Sequence, residues 1–181
     1  MLEDAEITKN TLKIFADNVV GKSKNNLRRK NKVASSRLLD SIDSDLKVHP
    51  NSFSLSFEME DYWQFVDYGV KGVGGTKADG TQWKKKRVTN NKFKYKSKRP
   101  PIFPELNSCT IRKGIAPRDK GGRFTKRRGL LFAISNSIFH TGLETTSFFT
   151  KPFEDEFKDL PDELIEAYSL DMDNFIENTI L

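Results

Sequence analysis

Between residues 71 and 128 the chain carries 19 basic residues against 3 acidic ones, with few apolar residues to bury beside them. Such a stretch cannot build a core of its own, so it predicts an extended basic arm or hairpin, residues 70–128, inserted in a domain made by the rest of the chain. The flanks differ sharply in charge. Residues 1–70 set 10 basic against 11 acidic residues, residues 129–150 hold Glu144 alone, and residues 151–181 hold 2 basic against 10 acidic. A basic middle and an acidic end predict that the two meet, within a subunit or between subunits, or that each faces its own partner. A chain of 181 residues with 36% apolar content suits a single domain, 1–181, with a lean core. No run approaches the roughly 20 apolar residues of a membrane span, and the opening Met-Leu-Glu-Asp-Ala-Glu lacks the basic and apolar regions of a signal peptide, so neither is expected. Cys109 is the one cysteine, which excludes an internal disulfide or a Cys-rich zinc site.

Ile7, Leu12, Phe15, Ala16 and Val19 recur at helical spacing and predict an amphipathic helix over residues 4–20, closed by Gly21. Ser23 to Lys32, with five basic residues, reads as a loop, and Ser35 or Ser36 then caps a second helix carrying Leu38, Leu39, Ile42 and Leu46. After the turn at His49-Pro50-Asn51, Phe53, Leu55, Phe57 and Met59 alternate with Ser and Glu, the period of a strand with one buried face. Asp61 is placed to cap a short helix with Tyr62, Phe65 and Val66 on one face, broken by Gly69. A further short helix is expected over Glu105 to Lys113, and Pro117 to Gly122 reads as a turn. Leu130 to His140 is the most apolar segment and predicts the core helix, with Leu131, Ile134 and Ile138 on its buried stripe. Thr145 to Pro152 looks extended, and 153–181 reads as an acidic amphipathic helical region with Pro161 at a break or a first turn. The fold class that follows is α+β, a twisted antiparallel sheet flanked by long amphipathic helices.

No local signature of catalysis is present: there is no G-x-S-x-G, no Walker loop and no H-E-x-x-H. Gly72-Val-Gly74-Gly75 lacks the strand-to-helix setting of a phosphate loop. Cys109 and His140 are available as a pair only because so few Cys and His exist, and a buried thiol beside a helix-end imidazole accounts for both. The carboxylates of 154–156, 162–163 and 171–173 lack the glycine and downstream glutamate of a calcium loop. No enzymatic activity, cofactor or metal is therefore expected. The basic middle is different. Trp83, Phe93 and Tyr95, interleaved with Lys84, Lys85, Lys86, Arg87, Lys94, Lys96 and Arg99, have the composition of a nucleic-acid surface with stacking rings and phosphate contacts. Arg127 and Arg128 extend it. The same cations suit an acidic protein surface, such as this chain's own C-terminal region, equally well.

The order of segments carries a resemblance. Ser36-Arg-Leu-Leu-Asp-Ser41-Ile42 follows an N-terminal helix and a basic loop; after a strand comes Tyr62-Trp-Gln-Phe65-Val66-Asp67-Tyr68-Gly69. This order resembles the head-tail connector or tail-completion (minor tail, neck) family of tailed bacteriophages, in which a Tyr-x-x-(Phe/Tyr)-Val-acid-x-Gly segment leads into a variable loop. Phe93 to Lys98 before Pro100-Pro101, Ile138 to Gly142 and Phe148 to Phe153 extend it over most of the chain. The arm and the acidic tail are longer than in typical members. The resemblance implies a virion structural protein without an active site, made in the bacterial host cytoplasm. It would form a homo-oligomeric ring that joins the portal and its adaptor to the tail and lets DNA pass, with non-specific DNA contact and no membrane partner. It also implies roles by position. Trp83, Phe93, Tyr95, Phe148, Phe149, Phe153, Phe157, Glu154, Asp155 and Glu156 would meet neighbouring subunits or partners. Lys84, Lys85, Lys86, Arg87, Lys94, Lys96, Arg99, Arg127 and Arg128 would face the DNA in the lumen or an acidic partner, while Phe53, Leu55, Phe57, Tyr62, Phe65, Leu131, Ile134 and Ile138 form the core.

Overall fold

The computed structural model describes residues 5–30, 36–88, 92–95, 104–119 and 121–180. Its elements, in chain order, are α1 (Glu6–Arg29), α2 (Arg37–Ser41), β1 (Asp43–His49), β2 (Ser52–Glu58), α3 (Trp63–Tyr68), β3 (Val70–Lys71), α4 (Pro104–Arg112), α5 (Arg127–Thr141), β4 (Gly142–Leu143), α6 (Thr150–Phe157) and α7 (Leu160–Ile180). The chain is α+β, with two small antiparallel sheets, β1-β2 and β3-β4. It divides into two compact units: Met1–Lys30, Arg37–Glu60 and Phe148–Leu181 form the first, Asn31–Ser36 and Asp61–Ser147 the second. The charge divides along the same boundary. The first unit holds 11 basic and 19 acidic residues, net −8, and the second 20 basic and 6 acidic, net +14.

In the first unit α1 runs well past Gly21 to Arg29, through the first seven residues of the stretch expected to form a basic loop. The reason is the apolar stripe: Leu12, Phe15, Ala16 and Val19 are followed on the same face by Ser23 and Leu27, all buried. Carrying that stripe two more turns outweighs the roughly 1 kcal/mol that an exposed helical glycine costs. The second expected helix is shorter, because the chain leaves α2 at Ser41 and residues 43–49 pair with β2. Leu46 faces Leu55 and Val48 faces Phe53 across a two-residue turn, so the residues read as a helical face are alternate positions of a strand. Leu12, Phe15, Val19 and Leu160 make the buried cluster, and Leu46, Phe53, Leu55, Phe57, Phe149, Phe153 and Leu164 pack against it. Phe15 meets Phe57 and Phe153 edge to face, with centroids 6.4 and 5.8 Å apart.

Two core expectations change. Tyr62 and Phe65 are 38% and 44% exposed, since α3 belongs to the other unit and spends its contacts elsewhere. In α5 only Ser135 and Phe139 are buried; Leu131, Ile134 and Ile138 are half-buried, so the most apolar segment is not the core of the first unit. Asp61 supplies no cap to α3, which starts after Tyr62 without a side-chain hydrogen bond. α6 begins at Thr150, inside a segment expected to be extended, and Pro161 lies in the first turn of α7, where its missing N–H costs nothing.

Candidate functional site

The second unit is organised by how it satisfies two helix ends. The last carbonyls of a helix have no partners within it. For α3 they are met by residues after β4: Thr146 and Ser147 N–H donate to Asp67 O at 3.0 and 2.9 Å. The Thr145 and Thr146 hydroxyls donate to Tyr68 O and Val66 O at 2.7 and 2.6 Å. For α5 the partners come from the basic segment. Val73 and Gly74 N–H donate to Phe139 O and His140 O at 3.0 and 2.9 Å, and Lys86 N–H donates to Thr141 O at 2.8 Å. Residues 73–86 are thus fastened over the end of α5. This close approach requires glycine: a Cβ on Gly72 would stand 2.3 Å from His140 O, and one on Gly142, at φ +86°, 2.3 Å from Val70 O.

Fastening turns the arm's aromatic rings inward. Trp83, half-buried, stacks on the His140 imidazole at 5.2 Å and 6°, with Lys77 Nζ 5.1 Å from its centroid. Phe93 meets Phe65 edge to face at 4.7 Å and Tyr68 at 6.2 Å. Tyr95 lies 5.5 Å from Phe139, and burial pushes its hydroxyl above the ordinary tyrosine range. The rings expected as stacking platforms are anchors. The cations between them face outward: Lys84, Lys85, Lys86, Arg87 and Lys94 are exposed, with the Lys85 stem lying against Gly74. Lys96 and Arg99 lie outside the described residues.

Arg127 and Arg128 are exposed in the first turn of α5, at its positive end, where cations are unfavourable by several tenths of a kcal/mol. Arg127 Nη1 is 3.5 Å from Asn107 Oδ1.

Of the residues expected at an interface in the first unit, three are taken by the fold. Phe148 is fully buried, and Phe149 and Phe153, one helical turn apart, pack in the core against Phe57. Phe157 is 49% exposed. Glu154 and Asp155 are exposed; Asp155 accepts from Lys158 at 2.9 Å, which holds its carboxyl below the ordinary range, and Glu156 is paired with Lys22.

The acidic C-terminal helix, expected from the sequence to dock on a neighbouring subunit or adaptor, is α7, and its outer face is the surface it offers. Leu160, Leu164, Ala167 and Asp171 form its inward stripe. Turned roughly 100° round the helix lie Ile165, Tyr168, Met172, Phe175 and Ile176, each 41–68% exposed. A third arc carries Asp162, Glu163, Glu166, Asp173 and Glu177, and α7 has no basic residue. The spacing 165, 168, 172, 175 is visible in the sequence, but which of two apolar stripes meets the core is not.

Cys109, on α4, is a half-buried free thiol. Among the described residues no group of three or more His, Cys, Asp and Glu side chains is placed to hold a metal ion, and no helix is long and apolar enough to cross a membrane. No family model, curated protein or solved structure matches the chain.

Proposed function

We propose that this chain is a structural protein of the phage neck, which assembles as a ring between the head and the tail. The observation that carries the reading is the outer face of α7, an exposed apolar stripe bordered by carboxylates, in a chain whose other unit has net charge +14. Contiguous apolar surface of this kind marks an interaction site. A ring is built from heterologous contacts, in which one surface of a copy meets a different surface of the next. A negative, apolar helix on one unit and a positive surface on the other meet that requirement in a single chain. The order of segments from Ser36 to Gly69 supports the neck assignment, and the basic unit then faces the next copy, the adaptor or tail ring, or the DNA.

The test is the pair of substitutions Ile165→Glu and Phe175→Glu on the outer face of α7. Both side chains are exposed, so the variant keeps the helical content of the wild type while the assembly, read by light scattering, collapses to single chains. An assembly of unchanged mass would remove α7 from the interface.

A further inference from the structure

On the first unit, the last two turns of α1 and the first half of α6 line a cavity of about 680 Å³, within the roughly 300–1,000 Å³ of small-ligand sites. Four cations face it, Lys22, Arg28 and Arg29 from α1 and Lys151 from α6, against one acid, Asp155. This unit holds 19 acidic residues to 11 basic, and elsewhere it pairs its cations with carboxylates. Lys9, Arg37, Lys47 and Lys158 each stand within 4 Å of one, and Lys22 is paired with Glu156. Arg28, Arg29 and Lys151 have no carboxylate at that distance among the described residues. Asp155 does not neutralise them: its carboxylate accepts from Lys158 at 2.9 Å, and the charges of Lys151 and Lys22 act on it only across space.

Helix electrostatics account for two of these positions and not for the third. Arg28 and Arg29 stand in the last turn of α1, where a cation meets the negative end of the helix. Lys151 is exposed in the first turn of α6, at the positive end of a helix with no acid in that turn. An ammonium there, facing the same cavity as two guanidiniums, is unfavourable by itself and becomes favourable when an anion joins them. The other polar groups are donors too. Arg28 Nη1 donates to Asn25 Oδ1 at 3.4 Å, which leaves the Asn25 amide N–H groups for the cavity, and Asn26 brings a second amide. Among the described residues Pro152 is the one apolar member of the lining, and it is buried, so neither a base nor the apolar side chains of a peptide find a surface to pack on. We infer that this cavity binds a compact polyphosphate anion. The Arg28 and Arg29 guanidiniums take phosphate oxygens in pairs, while Lys151 and Lys22 supply point charges. Four cations on two helices, around a cavity of this size, match a chain of two or three phosphates better than a single one. The site lies on the unit opposite in charge to the basic segment 71–128, takes a small anion and not nucleic acid, and stands whether or not the chain forms a neck ring.

The experiment is isothermal titration calorimetry of the full chain with tripolyphosphate at 50 mM NaCl, for wild type, R28Q/K151Q, and the equally discharged control K84Q/R87Q on the second unit. Hexaglutamate and sulfate are titrated into wild type for comparison. All four substituted side chains are exposed, so both variants should keep the far-UV circular dichroism of the wild type. The expected result is one tightest site for tripolyphosphate per chain, weakened at least about tenfold in R28Q/K151Q by the loss of two charge-assisted contacts. The control should lose much less. Tripolyphosphate should also raise the urea midpoint of wild-type helical content, because it binds the folded chain. Equal losses in the two variants would reduce the effect to net charge, and a larger loss in K84Q/R87Q would move binding to the basic unit; either result overturns the site. Tighter binding of hexaglutamate would make the occupant an acidic peptide, and equally tight binding of sulfate would make it a single oxyanion. Each of these, or no heat together with an unmoved urea midpoint, overturns the assignment to a polyphosphate.

Discussion

Replacing Asp171 should loosen the start of a helix more than 160 residues away in the sequence. α1 follows Ala5, which offers no side-chain cap, so its first N–H groups need an acceptor from outside. The Asp171 carboxylate of α7 provides it, accepting from Ile7 N–H at 3.1 Å and from the N–H and hydroxyl of Thr8 at 2.8 Å each. Loss of an N-cap costs about 1 kcal/mol and up to about 2. Thr8 is 5% exposed, so a hydroxyl left without its partner adds to that, and Asp171→Ala should cost about 2 to 3 kcal/mol. Asp171→Asn keeps an acceptor oxygen but loses the charge at the positive helix end, and should cost about 1 kcal/mol. Urea unfolding followed by far-UV circular dichroism is the assay. With a slope of about 2 kcal/mol per molar, the alanine midpoint should fall by about 1 M.

The pH dependence has a definite sign. Burial alone would raise the Asp171 carboxyl, but the hydrogen bonds from Thr8 N–H, Thr8 hydroxyl and Ile7 N–H outweigh it and hold the group below the ordinary aspartate range. A carboxyl depressed in the folded state stabilises fully above its unfolded value, about 3.9, and loses that contribution as pH falls through the lower folded value. The stability gap between wild type and Asp171→Asn should therefore be open at pH 7 and close as pH falls below about 4. Wild-type midpoints for both variants, or a gap that does not change with pH, would refute the remote cap.

Four further outcomes follow from the packing. Phe15→Ala, at 5% exposure with Phe57 and Phe153 against its ring, should cost about 3 to 5 kcal/mol in the same urea assay. Ser23→Ala should raise stability by about 1 kcal/mol, because the buried Ser23 Oγ has no hydrogen-bond partner among the described residues and alanine favours the helix. Gly142→Ala combines a left-handed backbone with a Cβ 2.3 Å from Val70 O and should destabilise the second unit by at least about 2 kcal/mol. Trp63 and Trp83 both lie in that unit, so tryptophan fluorescence reads its unfolding. Deleting residues 72–98 should remove the fluorescence signature of a folded second unit, since it strips the partners of Phe139 O, His140 O and Thr141 O; on composition alone the same deletion would be expected to spare the fold.

What could be read from the sequence was local. The alternation from Phe53 to Met59 gave β2, and the Tyr62 to Gly69 run gave a short helix stopped by glycine at φ +76°. The acidic end read as helical because Leu160, Leu164, Ile165, Tyr168, Met172, Phe175 and Ile176 recur at three-to-four-residue spacings, and α7 spans them. The end of α1 was obscured because Gly21 looks like a stop, and the buried partners of Leu27 come from distant segments. β1 was obscured because Leu46 and Val48 acquire a period only opposite Leu55 and Phe53. The candidate site was legible as a charge and illegible as a geometry. Lys84 to Arg87 stood in the basic run, but the fastening of residues 73–86 over the end of α5, through hydrogen bonds to Phe139 O, His140 O and Thr141 O, leaves no local signal. Trp83 and Tyr95 had the composition of stacking platforms, and only their contacts with His140 and Phe139 reveal anchors.

The most direct measurement is the mass of the wild-type chain in solution, by light scattering across a range of protein and salt concentration. If the acidic apolar face of α7 joins copies into a neck ring, a discrete assembly many times the 20.8 kDa chain should form at low salt and shrink as salt screens the opposite charges. A single species of 20.8 kDa at every protein and salt concentration would contradict it.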